Sequence, residues 1–271
     1  MPITKYHTVA EYGEALGALT GIAGATLFEF ARLGRGHRDT ICGNFVARSI
    51  TMSKSIFRLY EAADYQDCWI LHRCLMDRLF HLDHLATTNG FDAYEEWSFV
   101  EQYKALRRVQ EDLLFPGAAL DPAFELTPDQ LDRAKALRKH APVWQRPRAE
   151  DVAKHLQMHF LYRYGYDFAS RYVHPMANDG LRDFYEITEL QPAPTFPDEL
   201  VVLSNTLLVS TMLVQSAMNA SSLLWRNVLY EFLEAVRQYL GEGGDAYKIL
   251  FVKLGRALET GFHLAGAKAA G

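Results

Sequence analysis

Cysteine is scarce in this sequence. The three present, Cys42, Cys68 and Cys74, are odd in number and form no Cys-x-x-Cys pair. That excludes a disulfide framework and a zinc knuckle, and leaves buried free thiols in a reducing compartment. Excess positive charge is missing too. Lys plus Arg number 28 against 33 Asp plus Glu, a net charge of −5, which rules out a strongly basic nucleic-acid coat but not a local basic groove. The opening residues Met1-Pro-Ile-Thr-Lys-Tyr-His carry no apolar secretory core, so a cytoplasmic protein is expected. No strand-like alternation, internal repeat or low-complexity tract is found. Only Val201 to Trp225 runs without a charged side chain, but ten of its 25 residues are polar. It reads as a helix buried in a soluble bundle, not as a membrane span.

What the sequence has is globular composition, 49% hydrophobic and 23% charged, and apolar spacing of helical period almost throughout. Helices are predicted over Thr8 to Leu33, Asp39 to Ala63, Tyr65 to Thr87, Asp92 to Leu114, Thr127 to His140, Ala149 to Val173, Asp198 to Leu240 with an interruption near Asn219, and Asp245 to Leu264. Their stops are Gly34-Arg-Gly, Asn89-Gly90, Pro116-Gly117, Pro142, Pro175 with Asn178-Asp-Gly180, and Gly241-Glu-Gly-Gly244. Thr127-Pro-Asp-Gln has the form of an N-cap followed by proline in the first turn. Gly165 is placed to bend or split its helix. The expected fold is all-α: one domain over residues 1–271, a bundle of about seven or eight helices with a long C-terminal helix. The Pro-rich connection 191–197 cannot be helical and precedes that last long helix.

Two polar constellations interrupt the apolar pattern. On the third predicted helix, Arg73, Asp77, His81 and His84 are spaced by four, four and three, which places them on one face. An Arg73–Asp77 bridge tying helices together is one reading, since a buried charge requires a partner. A polar pocket between helices is the other. Asp77, His81 and His84 have ligand-type chemistry for a metal, yet no Glu-x-x-His occurs anywhere, so neither a metal nor any other cofactor is expected. The second constellation is Tyr166, Ser170 and His174, again one helix face, with His174 beside Pro175 at a helix end. A phenol, a hydroxyl and an imidazole in line can satisfy one another, or the imidazole can move protons near neutral pH. No Gly-x-Ser-x-Gly elbow accompanies Ser170. The stretch His155 to Tyr172 adds interleaved aromatic and basic residues, among them His159, Tyr162, Arg163 and Arg171. Such a run can stack bases and hold phosphates, or be half core and half rim.

Ile70-Leu-His-Arg73-Cys-Leu-Met-Asp77 resembles the Arg-x-x-x-Glu helix of the prokaryotic domain-of-unknown-function family numbered 5677, with Asp77 standing in place of the glutamate. Tyr166-x-x-x-Ser170-x-x-x-His174-Pro175 resembles the end of a second helix of that family. The family in turn is similar to HEPN-type helical bundles, many of which are dimeric, metal-independent ribonucleases of defence and toxin–antitoxin systems. Their Arg-then-His signature is met in spacing by Arg78 and His84 and by Arg148 and His155, while Arg171 and His174 stand too close together. The resemblance implies a ribonuclease in which His174 moves protons, Arg73 or Arg171 stabilises phosphate charge, and Asp77, Tyr166 and Ser170 orient the set. It also implies RNA or a nucleotide as partner, and a homodimer. The alternative is a non-catalytic helical module that binds a ligand or partner through the same residues. Exposure decides between the two: an open cleft favours the enzyme, and residues buried and paired within one chain favour the module.

Overall fold

The computed structural model describes residues 7–32, 36–110, 127–139, 144–174, 176–177, 180–189, 200–223 and 226–259. Gly34-Arg35, Pro116-Gly117, His140, Pro142, Pro175, Asn178-Asp179, the 191–197 connection, Asp198 and the tail after Glu259 lie outside them. All regular structure among the described residues is helical, as expected. The elements are α1 (Val9–Arg32), α2 (His37–Glu61), α3 (Tyr65–Thr88), α4 (Phe91–Gln110), α5 (Pro128–Lys139) and α6 (Ala149–His155). They continue with α7, α8 (Leu181–Thr188), α9 (Val201–Ala220), α10 (Arg226–Glu242) and α11 (Ala246–Glu259). The helix α7 is continuous but mixed: His159–Leu161 is α-helical, Tyr162–Asp167 is π-helical, and Phe168–Val173 is α-helical again.

The described helices number eleven, not seven or eight. Three local events make the difference. The expected 149–173 helix breaks after α6, where Gln157 takes a left-handed φ of 56°. Gly180, expected only as a terminator, adopts φ 72° and serves as the N-cap of the short α8. The expected 198–240 helix is two helices, broken at Ser221, close to the interruption expected near Asn219. Ser221 leaves α9 in an extended conformation while its hydroxyl donates back to the Met218 carbonyl at 2.9 Å. The Ser222 N–H and hydroxyl are held by the Asp39 carboxylate at 2.9 and 2.6 Å. Serine side chains that bond nearby backbone compete with helix continuation in this way.

The chain divides into two compact units, one of residues 1–83 and 147–271, the other of 84–146. In the larger unit α9 is the central helix, packed chiefly on α2 and also on α1 and α10. Leu203, Leu207, Leu213, Val214 and Met218 of α9 are fully buried, as are Val46 and Ile56 of α2, Leu19 of α1 and Phe232 and Val236 of α10. The buried hydroxyls of α9 have partners. Ser210 meets Ser53 of α2 at 2.8 Å, Thr211 donates to the Leu208 carbonyl at 2.7 Å, and Thr206 lies 3.3 Å from His72 Nδ1. This is how a charge-free helix carries so many polar residues inside a protein. By length and composition α9 could cross a membrane, and 67% of that stretch is buried within the protein.

The smaller unit holds α4 and α5. Thr127 caps α5 as its sequence predicts: the Gln130 N–H donates to the Thr127 hydroxyl at 3.3 Å, and the Gln130 side chain accepts the Thr127 N–H at 2.8 Å. Arg133 of α5 makes a two-pronged pair with Glu95 of α4 and lies 4.5 Å over the Phe99 ring. Asn89, at φ 52°, closes α3, and the Gly90 N–H donates to the Leu85 carbonyl at 3.0 Å.

Candidate functional site

Within the larger unit α7 lies against α3, and the polar residues of both helices meet there. Each of the three guanidinium nitrogens of Arg73 has a partner. Nε donates to the Ser170 hydroxyl at 3.0 Å, Nη1 pairs with Asp77, and Nη2 donates to the Tyr166 hydroxyl. The Tyr166 hydroxyl donates onward to Asp77 at 3.1 Å, and the Ser170 hydroxyl donates to the Tyr166 carbonyl at 2.8 Å. Arg73 also lies 4.0 Å over the Tyr166 ring. The Arg73 and Asp77 side chains are only 16% and 17% exposed. Four residues from two predicted constellations thus form one closed network. Its geometry follows from the helices: Arg73 and Asp77 are one turn apart on α3, and Tyr166 and Ser170 are one turn apart on α7.

His174 is not part of this network. It is exposed at the C-terminal end of α7, and among the described residues its side chain has no hydrogen bond or ion pair. Arg171 is exposed in the same last turn, its guanidinium 5.4 Å from the Phe168 ring centre. His81 Nδ1 contacts the Asp77 carbonyl at 2.6 Å, within its own helix. His84 lies on the part of α3 that belongs to the smaller unit. Among the described residues no group of three or more His, Cys, Asp or Glu side chains could hold a metal.

Gly165 explains the close approach of α7. A methyl group there would lie 2.9 Å from the Met76 sulfur and 3.3 Å from His72 Nε2. Gly165→Ala is therefore expected to destabilise the fold by about 1–3 kcal/mol through overpacking, read as a lower midpoint in urea denaturation. The six-residue π turn at this point is a departure from α geometry of a kind often met at functional sites.

His72 is the residue that the sequence hid. It is fully buried, and Nε2 has no hydrogen-bond partner among the described residues. Burial pushes the imidazole down to about 3, so it is neutral near pH 7. Its spacing with Trp69, Met76 and Leu79 by three, four and three marks the apolar face of α3. That is the signal by which it could have been found.

Beside the network, between α6 and the first turns of α7, lies an open groove of about 400 Å³. It is lined by Glu150 and Lys154 of α6 and by His159, Tyr162, Arg163 and Asp167 of α7. Lys154 is paired with Glu150 at 2.8 Å. His159, Arg163 and Asp167 are exposed and have no hydrogen bond or ion pair among the described residues. The Tyr162 ring stacks on Tyr166 at 5.4 Å and 15°, which links the groove wall to the Arg73 network. Burial, reinforced by Glu150 and Asp167, raises the Tyr162 phenol above its usual range, so the ring stays neutral. Sequence reading singled out the aromatic and basic run but not Glu150 and Lys154, because a helix break separates the two walls, nor Asp167, an acid within a run marked by its bases.

The fold and site define an all-helical protein with a locked Arg–Asp pair next to an open groove. Residues 39–187, more than half the chain, match the model of a family of unknown function, DUF5677, and the chain belongs to that family. The match contains both α3 and α7, and with them the whole network and the groove. No curated protein and no solved structure matches the chain.

Proposed function

We propose that this protein is a non-catalytic, cytoplasmic binding module that holds a nucleotide or a stretch of RNA in the groove between α6 and α7. The observation that carries the reading is the state of Arg73: all three of its guanidinium nitrogens are taken by Asp77, Tyr166 and Ser170. A guanidinium held on every nitrogen and only 16% exposed is poorly placed to stabilise developing phosphate charge, whereas Arg163 and His159 in the groove are exposed and carry no such bonds among the described residues. Arginine and histidine suit phosphate oxygens, Tyr162 supplies a stacking face, and Asp167 supplies an acceptor for a ribose hydroxyl or a base amine.

The second reading is a HEPN-like, metal-independent ribonuclease of a defence or toxin-type system. The exposure of His174 and Arg171 at the end of α7 favours it. One pair of assays separates the two. A fluorescein-labelled oligouridylate is titrated with wild-type protein, Arg163→Ala and His174→Ala, and total cellular RNA is incubated with the same proteins with and without EDTA. Binding weakened about tenfold or more by Arg163→Ala, unaffected by His174→Ala and falling with salt, with the RNA left intact, is the expected result. RNA cleavage that survives EDTA and disappears in His174→Ala overturns the binding reading in favour of the ribonuclease.

A further inference from the structure

We propose that the exposed apolar face of α8 is a docking surface for a cationic amphipathic helix of a partner protein. Leu181, Phe184 and Ile187 are 43%, 52% and 82% exposed. At i, i+3 and i+6 they share one side of the helix. Val173 and Met176, at 40% and 53% exposure, precede them in the chain. Single exposed apolar residues need no explanation, but Leu181, Phe184 and Ile187 together on one side of a short helix mark an interaction surface. In addition, α8 packs extensively against no other described helix. An eight-residue helix is too short to be stable by itself, since isolated helices below ~12 residues are marginal in water. A partner laid along its apolar side supplies the missing burial.

Charge selects the partner. Asp183 and Glu189 are exposed on and just after α8, and in the sequence 181–189 three acids stand against one base. Asp183 stands one turn before Ile187, so acid borders the apolar strip directly. Asp64 and Asp67, at the start of α3, share the same field. The Asp67 carboxyl is raised by partial burial, then by Asp64, with a further contribution from Asp183. A second copy of this chain would bring like charges together across a two-fold axis, which disfavours a symmetric dimer here. A helix with a leucine stripe flanked by lysines is complementary in both respects.

The test uses the full chain and three fluorescent synthetic peptides: a short amphipathic Leu/Lys helix, a scramble of the same composition, and a Leu/Glu version of the amphipathic helix. The amphipathic Leu/Lys peptide should bind about tenfold tighter than the scramble, and Phe184→Ser with Ile187→Ser should remove that advantage. Asp183→Lys with Glu186→Lys should weaken the Leu/Lys peptide and strengthen the Leu/Glu peptide. All four positions are exposed, and an unchanged helical circular dichroism spectrum verifies folding. No binding to any peptide, equal binding by the Phe184/Ile187 variant, or preference for the Leu/Glu peptide overturns the proposal. So does a concentration-dependent dimer of the wild-type chain that the same variant abolishes.

Discussion

Arg73→Ala should lower the melting temperature by about 5–10 °C, the largest effect expected of any substitution at the polar network. Removing the guanidinium takes the ion-pair partner from the Asp77 carboxylate, 17% exposed, and removes the donor that Ser170 accepts. Breaking a fully buried pair in this way costs about 3–5 kcal/mol, and the partial exposure here brings the expectation to about 2–3 kcal/mol. For a chain of this size that corresponds to several degrees. Asp77→Ala should behave alike, because it strands the guanidinium. Replacing both charges, as in Arg73→Met with Asp77→Leu, should return stability to within about 1 kcal/mol of wild type, since neither charge then has to be desolvated. A double variant as unstable as the sum of the singles would show that the pair is not acting as a mutual partner.

The second large effect is acid sensitivity from His72. Its folded-state value is pushed down to about 3 by burial, whereas an unfolded histidine titrates near ~6.5. Between these values the unfolded chain binds a proton that the folded chain does not. Stability from this group is therefore complete above about pH 6.5 and is lost as pH falls, at about 1.4 kcal/mol per pH unit. Urea denaturation between about pH 6.5 and 5, above the main carboxylate range, should show a loss of about 2 kcal/mol. His72→Gln keeps a polar atom for Thr206 but has no proton to gain, so its stability should change much less over the same window. An equal slope in wild type and His72→Gln would contradict the burial argument.

The all-helical class was legible because the apolar period is strong along most of the chain, and the Thr127 cap and the Asn89 stop have clear local chemistry. The break at Gln157 was not, and the one at Ser221 was legible only as an interruption near Asn219, without its cause. Gln157 has no intrinsic preference for a left-handed φ, and Ser221 ends α9 with Ser222 held by Asp39, a residue 183 positions away. Leu181–Thr188 has apolar residues over only two turns, too few to establish a helical period.

For the site, the i, i+4 spacings placed Arg73 with Asp77 and Tyr166 with Ser170. That the two pairs form one network required the tertiary contact of α3 with α7. The same spacing grouped His174 with Tyr166 and Ser170. In the structure the helix ends at Val173 and His174 turns into an extended conformation (φ −107°, ψ 121°), so the face is not continued. The end at Val173 is the one that Pro175 predicts; the i, i+4 spacing simply carries no weight beyond it. The groove was half visible: its α7 wall is the aromatic and basic run, but its α6 wall is joined to it only across the bend at Leu156–Met158.

The most direct test of the account is nucleotide binding by a protein whose network has been made apolar. Labelled oligouridylate is titrated against wild type, Arg163→Ala and the Arg73→Met/Asp77→Leu double variant, each first shown to be folded. If the network is a structural lock beside the groove, the double variant binds within about threefold of wild type while Arg163→Ala weakens by about tenfold or more. The reverse pattern, with binding lost in the double variant and kept in Arg163→Ala, would mean that Arg73 itself contacts the ligand and that the groove is not the site.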